Sequence, residues 1–411
     1  MKNLETLRFQ INALSVFRSI LDTPTVSALQ KLLYAVENGS LDDQITQTGA
    51  FSSALFISAD GDLGKFIRDY VENDQNVFLR KIITQQEIPQ ELRNAAMRDL
   101  ETLQSITQFT PDDAASAISA NLKASGAGGL ESVNSWLPRW TNSKVNLLAA
   151  YQKFISEIPE KGYGKFRTAR SFTVQDGTLV PVKFADPQTL DDLYGYERER
   201  HLVYENTRAL AEGRGAANVL LYGDAGTGKS STIKACAAAF ADQGVRLIEF
   251  EKTQLHEIPK IIDELYNTPL KFIFFIDDLS FTTEDDNFSC LKGMLEGSVT
   301  GKSDNIAIYA SSNRRHLVRE LAEDRSGSDI HLNDTLQQTM SLSARFGLTI
   351  TFQRPEKDLY LEIVKKLAAE ENIDMPEDEL CRKAEAFAIR SSGRSPRTAR
   401  QFIQQVGIGL Q

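Results

Sequence analysis

Cysteine is scarce: Cys236, Cys290 and Cys381 are the only three in 411 residues. They lie far apart, and none has a second cysteine or a histidine at metal-ligand spacing, so neither a disulfide framework nor a zinc site is expected. The four histidines form no HxH or HxxxH pair. Long apolar runs are missing too, since a stretch such as Phe272 to Ile276 falls far short of the roughly 18 to 20 residues a membrane span needs. The opening MKNLETLRFQ lacks a basic segment followed by an apolar core, so export is not expected and the cytoplasm is the default location. Basic charge is in deficit: 46 Lys and Arg stand against 56 Asp and Glu, a net charge of -10. That balance argues against a surface coated for nucleic acid, while a local basic patch stays possible in principle. What the chain does have is 41% hydrophobic content, at a length that suits two or three domains.

Residues 1–165 read as a mainly α-helical domain. Leu4, Leu7, Ile11 and Leu14 recur at helical spacing, Thr23-Pro24 is an N-cap followed by proline at the first helical position, and Gly39 is a helix stop. Further helical patterns cover roughly 62–83, 90–107 and 111–122. The run SGAGG, 125–129, is a loop signal, and Trp136 and Trp140 after it are candidates to pack on a neighbour or on the next domain. From 166 to 353 the pattern changes to short buried strands alternating with helices: 218–222, 245–250, 271–277, 305–311 and 348–352. This predicts a five-stranded parallel sheet with flanking helices, an α/β fold. Residues 354–411 read as a small helical subdomain, with helix starts at Pro376 and Pro396.

The segment LLYGDAGTGKSS, Leu220 to Ser231, follows a predicted strand and opens a predicted helix, and it matches GxxxxGK[ST] at every fixed position. Gly223, Asp224, Ala225, Gly226, Thr227, Gly228, Lys229, Ser230 and Ser231 would form a phosphate cradle. Its glycines allow successive backbone N–H groups to curl around an anion, the helix N-terminus adds partial positive charge, Lys229 reaches outer phosphates and Ser230 holds Mg2+. The second half of such a site is an acid at a strand end, which KFIFFIDDLS supplies: Asp277 for the Mg2+ hydration shell and Asp278 to orient or deprotonate the attacking water.

From about Leu190 to Arg400 the chain resembles the AAA+ ATPases, a P-loop NTPase family, and the resemblance implies ATP and Mg2+ as ligands. Asn313, ending the strand in IYASSNRR, resembles the sensor 1 position. Arg345 in SLSARFGL looks like the arginine finger that completes a neighbouring subunit's site, which implies a homo-oligomer. Arg397 in GRSPRTARQF is similar to a sensor 2 arginine in the C-terminal helical lid, and Tyr194 and Gly195 resemble the segment beside adenine. A planar guanidinium fork suits charge developing on phosphate oxygens. Phrases such as FIFFIDDLSF, YASSNRRHLV and SLSARFGLTITF look like a bacterial AAA+ family known as domain of unknown function eight-fifteen. Many AAA+ proteins have Asp-Glu where this chain has Asp277-Asp278; the shorter side chain predicts slow basal hydrolysis, with Glu284 or Glu296 as weaker substitutes. FEKTQLHEIPK, 250–260, lacks the aromatic-x-Gly loop of a threading unfoldase. Phe281 serves as a partner contact or a buried anchor, and Arg314 and Arg315 leave nucleic acid or a subunit contact open. Two readings stand: an oligomeric remodelling ATPase, or a slow ATP/ADP switch. The macromolecular partner, protein or nucleic acid, would be chosen by the N-terminal helices.

Overall fold

The run KFIFFI is apolar at successive positions because a strand buried on both faces has no polar side to show. In the structure, a computed structural model that describes residues 4–124, 135–183, 188–266, 268–280, 286–295, 304–313, 344–391 and 393–410, this run is the strand Lys271–Ile276. The chain divides into two compact units, Met1–Ile158 and Pro159–Gln411.

The first unit is helical: α1 Leu4–Asn12, α2 Pro24–Asn38, α3 Leu41–Ala59, α4 Leu63–Asn73, α5 Val77–Ile83, α6 Gln90–Ile106 and α7 Pro111–Ala124, with most of α8 Leu147–Lys161. The Thr23 hydroxyl accepts the Val26 N–H at 3.3 Å, capping α2 as its sequence predicts. The single helix expected over 62–83 is two, because Asn76 caps a new start by accepting the Leu79 N–H at 2.9 Å. Trp140 packs inside this unit, edge-on to Phe51 at 5.0 Å, and donates its indole N–H to the Phe109 carbonyl at 3.2 Å; Trp136 is exposed.

A buried carboxylate organises the turn after α1. Asp99, 4% exposed, accepts the consecutive N–H groups of Ser15, Val16 and Phe17 at 2.9, 2.6 and 3.1 Å. Asp99→Ala would strand these donors, and the expected loss is about 2–4 kcal/mol, at the upper end for bonds to a charged group. A urea titration of the full chain should then show the helical unit unfolding first, while an unchanged midpoint would assign the carboxylate no such role.

The second unit carries a short helix α9 Lys165–Thr168 and the strands β1 Ser171–Gln175, β2 Thr178–Pro181, β3 Val219–Gly223, β4 Val245–Phe250, β5 Lys271–Ile276, β6 Ile306–Ser312 and β7 Leu348–Phe352. The sheet order is β2-β1-β4-β5-β6-β3-β7. Seven strands thus replace the five expected. The five expected ones are contiguous and parallel, and the addition is a hairpin whose β1 runs parallel to β4 while β2 returns antiparallel. Asp176 and Gly177 turn that hairpin, both with positive φ (50° and 67°), the conformation of a two-residue turn and one favoured by Asp-Gly.

Alternate strand residues serve two cores. Phe272, Phe274 and Ile276 pack with Ile258, Ile261 and Leu265 of α12 Ile258–Leu265 on one face. Ile273 and Phe275 pack with Val203 and Leu210 of α10 Glu197–Ala211 and with Ile233 and Cys236 of α11 Lys229–Ala239 on the other. Cys236 is buried, while Cys290 and Cys381 are partly so. Beyond β7, the helices α14 Lys357–Glu370, α15 Glu377–Arg390 and α16 Pro396–Gly407 close around a third core of Tyr360, Ile363, Leu380 and Phe402; α13 is Asp286–Leu295.

One buried charge braces the edge of this unit. Arg246 on β4, 3% exposed, gives its protons to the carbonyls of Phe166, Ala241, Val245 and Lys161 at 2.7–2.9 Å. Burial draws its pKa down to about 10.

Candidate functional site

β3 lies between β6 and β7, yet the chain leaves it to build β4 three positions away. The loop after β3 therefore opens at a topological switch point on the carboxyl edge of a parallel sheet, where α/β folds bind ligands. Residues 223–228 form this loop, and α11 starts at Lys229. Gly223, Gly226 and Gly228 take φ of 140°, 78° and 93°, values that side chains other than glycine's rarely tolerate. The Asp224 N–H is held by the Phe352 carbonyl at 3.1 Å and its carboxylate accepts the Arg354 N–H at 2.9 Å. Buried Thr227 donates to the Asp224 carbonyl at 2.9 Å, while Ala225 is exposed at the tip.

Lys229 is 5% exposed and folds back over the loop. Its ammonium donates to the carbonyls of Gly223 (2.9 Å) and Asp224 (2.8 Å) and to Asn313 Oδ1 (2.9 Å). Loss of water around it lowers its pKa, which the carboxylates of Asp224, Asp277 and Asp278 partly offset and Arg397 lowers further.

The acids arrive by strand register. Ile276 pairs with Ala310 across β5 and β6, and Leu221 with Ser311 across β3 and β6, so Asp277, Asp278 and Asn313 emerge on the same edge as the loop. Ser230 Oγ donates to Asp277 Oδ1 at 2.6 Å. Asp278 has φ 49°; its carboxylate accepts Asn313 Nδ2 at 2.8 Å, so Asn313 joins Lys229 to Asp278. Both aspartates are exposed.

This donor set fits Mg2+. The ion binds through one or two protein oxygens and keeps its remaining positions for water and phosphate, and Ser230 and Asp277 supply one hydroxyl and one carboxylate. In giving its proton to Asp277, Ser230 keeps oxygen lone pairs for an ion. Among the described residues, no group of three or more His, Cys, Asp or Glu is arranged to hold a metal by itself.

Beside the loop lies a concavity of about 200 Å³, lined by Gly195, Tyr196, Gly226, Thr232, Ile363 and Arg397 among others. Tyr194 bonds Glu370 at 3.3 Å. A Cβ on Gly195 would sit 3.1 Å from Ile363 Cδ1, so this segment lies directly against α14. Ser231 lines the same pocket. Arg397, exposed at the start of α16, reaches the loop through its backbone N–H, 3.2 Å from the Gly226 carbonyl.

Arg345 is not brought to this edge. It sits half-buried in the turn before β7, whose first residue Leu348 pairs with Val219 while its last, Phe352, pairs with Gly223. Those strand residues alone span about 13 Å, which leaves Arg345 at the opposite edge from its own phosphate loop. Phe281, Glu284, Glu296, Arg314, Arg315 and the SGAGG run lie outside the described residues.

Three site residues escape the sequence reading. Arg400 donates to the Asp192 carbonyl at 2.9 Å, and Arg200 to the carbonyls of Leu190 (3.1 Å) and Leu193; both line the pocket and brace its 190–194 wall. Arg400 lies three residues after Arg397 on one helix, a spacing that puts both on one face. Ser311 touches both aspartates and has no motif of its own.

Among the described residues, no helix is long and apolar enough to cross a membrane. No curated protein matches the chain. Similar solved structures include the Thermotoga maritima RuvB Holliday junction branch migration motor, at 16% identity and TM-score 0.37 over 54% of this chain, which spans 65% of that one. A katanin structure concerned with self-assembly aligns at 17% identity and TM-score 0.36, covering 54% of this chain and 71% of that. The FIGL-1 AAA domain in complex with ADP aligns at 17% and 0.38, covering 55% and 75%. Likenesses this distant do not say what the chain does. The family described as Protein of unknown function (DUF815) matches residues 165–409, more than half of the sequence, and the chain belongs to that family.

Proposed function

We propose that the chain is an AAA+-type ATPase that binds Mg-ATP and hydrolyses it, with residues 166–353 as the catalytic core, 354–411 as the lid and 1–165 as the helical domain that selects a macromolecular partner. The observation that carries this reading is the meeting of Lys229, Ser230, Asp277, Asp278 and Asn313 at one sheet edge beside a pocket. Lys229 and the loop N–H groups hold the phosphates, Tyr194 and Gly195 flank the base, and Arg397 approaches from α16. Asp278 accepts the proton of the attacking water, and Asn313 holds that carboxylate in place. Bound Mg2+ would offset charge on the transferring phosphoryl group.

Arg345 lies at the wrong edge for its own loop, and in this reading it completes the site of a neighbouring copy. Hydrolysis per subunit should therefore rise with protein concentration, and Arg345→Ala should lower it by about 10³, the low end of what a trans arginine supplies. Mixing Arg345→Ala with Lys229→Met should restore part of the rate, because each variant carries the half that the other lacks. A low, concentration-independent rate that ignores Arg345→Ala would favour instead the slow ATP/ADP switch, which the short Asp278 carboxylate also suits.

A further inference from the structure

The two aspartates are exposed, yet they are fixed, and the residue that fixes them is buried. Ser311, 2% exposed on β6, accepts the Asp278 N–H on its hydroxyl at 3.1 Å and donates that hydroxyl's proton to Asp277 Oδ1. Its own carbonyl accepts the Leu279 N–H at 2.7 Å. Asp277 Oδ1 also takes the Ser230 hydroxyl at 2.6 Å and the Asp278 N–H at 3.0 Å. Among the described residues, the protein donors to Asp277 thus fall on Oδ1, and none falls on Oδ2.

Asp278 pays for its place in the turn: a non-glycine residue at φ 49° costs on the order of 1 kcal/mol or more. Among the described residues, Ser311 and the Asp277 carboxylate accept its N–H, and Asn313 donates to its side chain. We infer that Ser311 is a positioning residue, which by holding Oδ1 of Asp277 sets its Oδ2 toward the magnesium ion's water shell and locks Asp278 in its left-handed turn. This rests on the Mg-ATP reading above. Ser311 touches neither the loop glycines nor Lys229 in the described bonds, so its influence should fall on the ion and on the rate, and leave nucleotide affinity without metal alone. Residues that orient metal ligands from behind are worth about 10–100-fold in metal affinity or activity.

The test uses the full chain and three readouts: ADP affinity in EDTA, Mn2+ affinity of the ADP-bound protein by paramagnetic resonance, and kcat with KM for ATP. Ser311→Ala should leave ADP affinity within about twofold, weaken Mn2+ by about tenfold or more, and lower kcat by about 10–100-fold with KM for ATP little changed. Ser311→Thr keeps the hydroxyl and should hold Mn2+ within about threefold of wild type. Equal loss of ADP affinity in EDTA, or unaltered Mn2+ binding in Ser311→Ala, would overturn the assignment. If Ser311→Ala does not fold, a folded Ser311→Thr that has lost Mn2+ overturns it and one that retains Mn2+ supports it. A wild-type chain that binds Mn2+ with ADP but hydrolyses nothing would defeat the ATPase reading, and the Mn2+ comparison would still decide Ser311.

Discussion

Lys229→Met should abolish measurable ATP hydrolysis, a fall of at least about 10³, and remove the nucleotide-induced rise in melting temperature. The ammonium is a cation buried against the loop, and its protons already point to Gly223, Asp224 and Asn313, which hold it where phosphate oxygens would arrive. Methionine keeps the length and loses every donor. The fold should tolerate this well, because the variant sheds a charge whose burial is unfavourable, the effect that lowers the lysine's pKa. The pH dependence follows from the same shift. Between the lowered folded pKa and the ordinary value of 10.5, the unfolded chain binds the proton more tightly than the folded one, so wild-type stability rises with pH in that window. Lys229→Met lacks that rise. Urea midpoints of both proteins from pH 7 to 10.5 should converge or cross in the wild type's favour; parallel curves would contradict a desolvated lysine.

Gly223→Ala should be far more damaging to the fold than Gly228→Ala, although both replace a motif glycine. A Cβ at Gly223 would lie 2.0 Å from the Phe352 carbonyl oxygen and 2.6 Å from its carbon. That oxygen belongs to a buried strand residue and is bonded to the Asp224 N–H at 3.1 Å, so it cannot step aside without parting β3 from β7. Strain at φ 140° adds to the overlap, and the combined cost is about 3–5 kcal/mol. At Gly228 a Cβ meets nothing within 4 Å, and only the backbone strain at φ 93° is charged, about 1–2 kcal/mol. Gly223→Ala should be largely insoluble or melt far below wild type. Gly228→Ala should fold and reveal its defect as weak nucleotide binding, since its added methyl projects into the space beside the loop. Equal melting temperatures for the two would refute this division.

The core strands were readable because burial on both faces leaves runs such as KFIFFI with no alternation to misinterpret. The phosphate loop was readable because its chemistry is local: glycines, lysine and serine act within a few residues. Asp277 and Asn313 followed as polar residues ending apolar strands. The β1–β2 hairpin is hard to read even though Asp176-Gly177 is a strong turn signal, because the strands it joins are short and one ends in proline. Helix α3, Leu41–Ala59, has little sequence signature, since its run of small and polar residues gives a weak apolar stripe. Ser311, Arg200 and Arg400 could not be read from sequence in the same way. Ser311 gains its role from the register that sets Leu221 beside it, and the two arginines from how helices far apart in the chain meet one loop.

The edge on which Arg345 sits has a consequence for assembly. If the arginine of one copy meets the loop of the next through two different patches, the contact is heterologous and head-to-tail rather than twofold. If Arg345 completes a neighbour's site, a dimer has one complete site and one idle one, and any unclosed stack leaves its terminal loop unserved. Closing such a stack into a ring wakes that last site without adding a contact of a new kind. The fraction of active sites would then depend on whether the ends have met, so a partner that opens or closes the circle could set the rate without touching the chemistry.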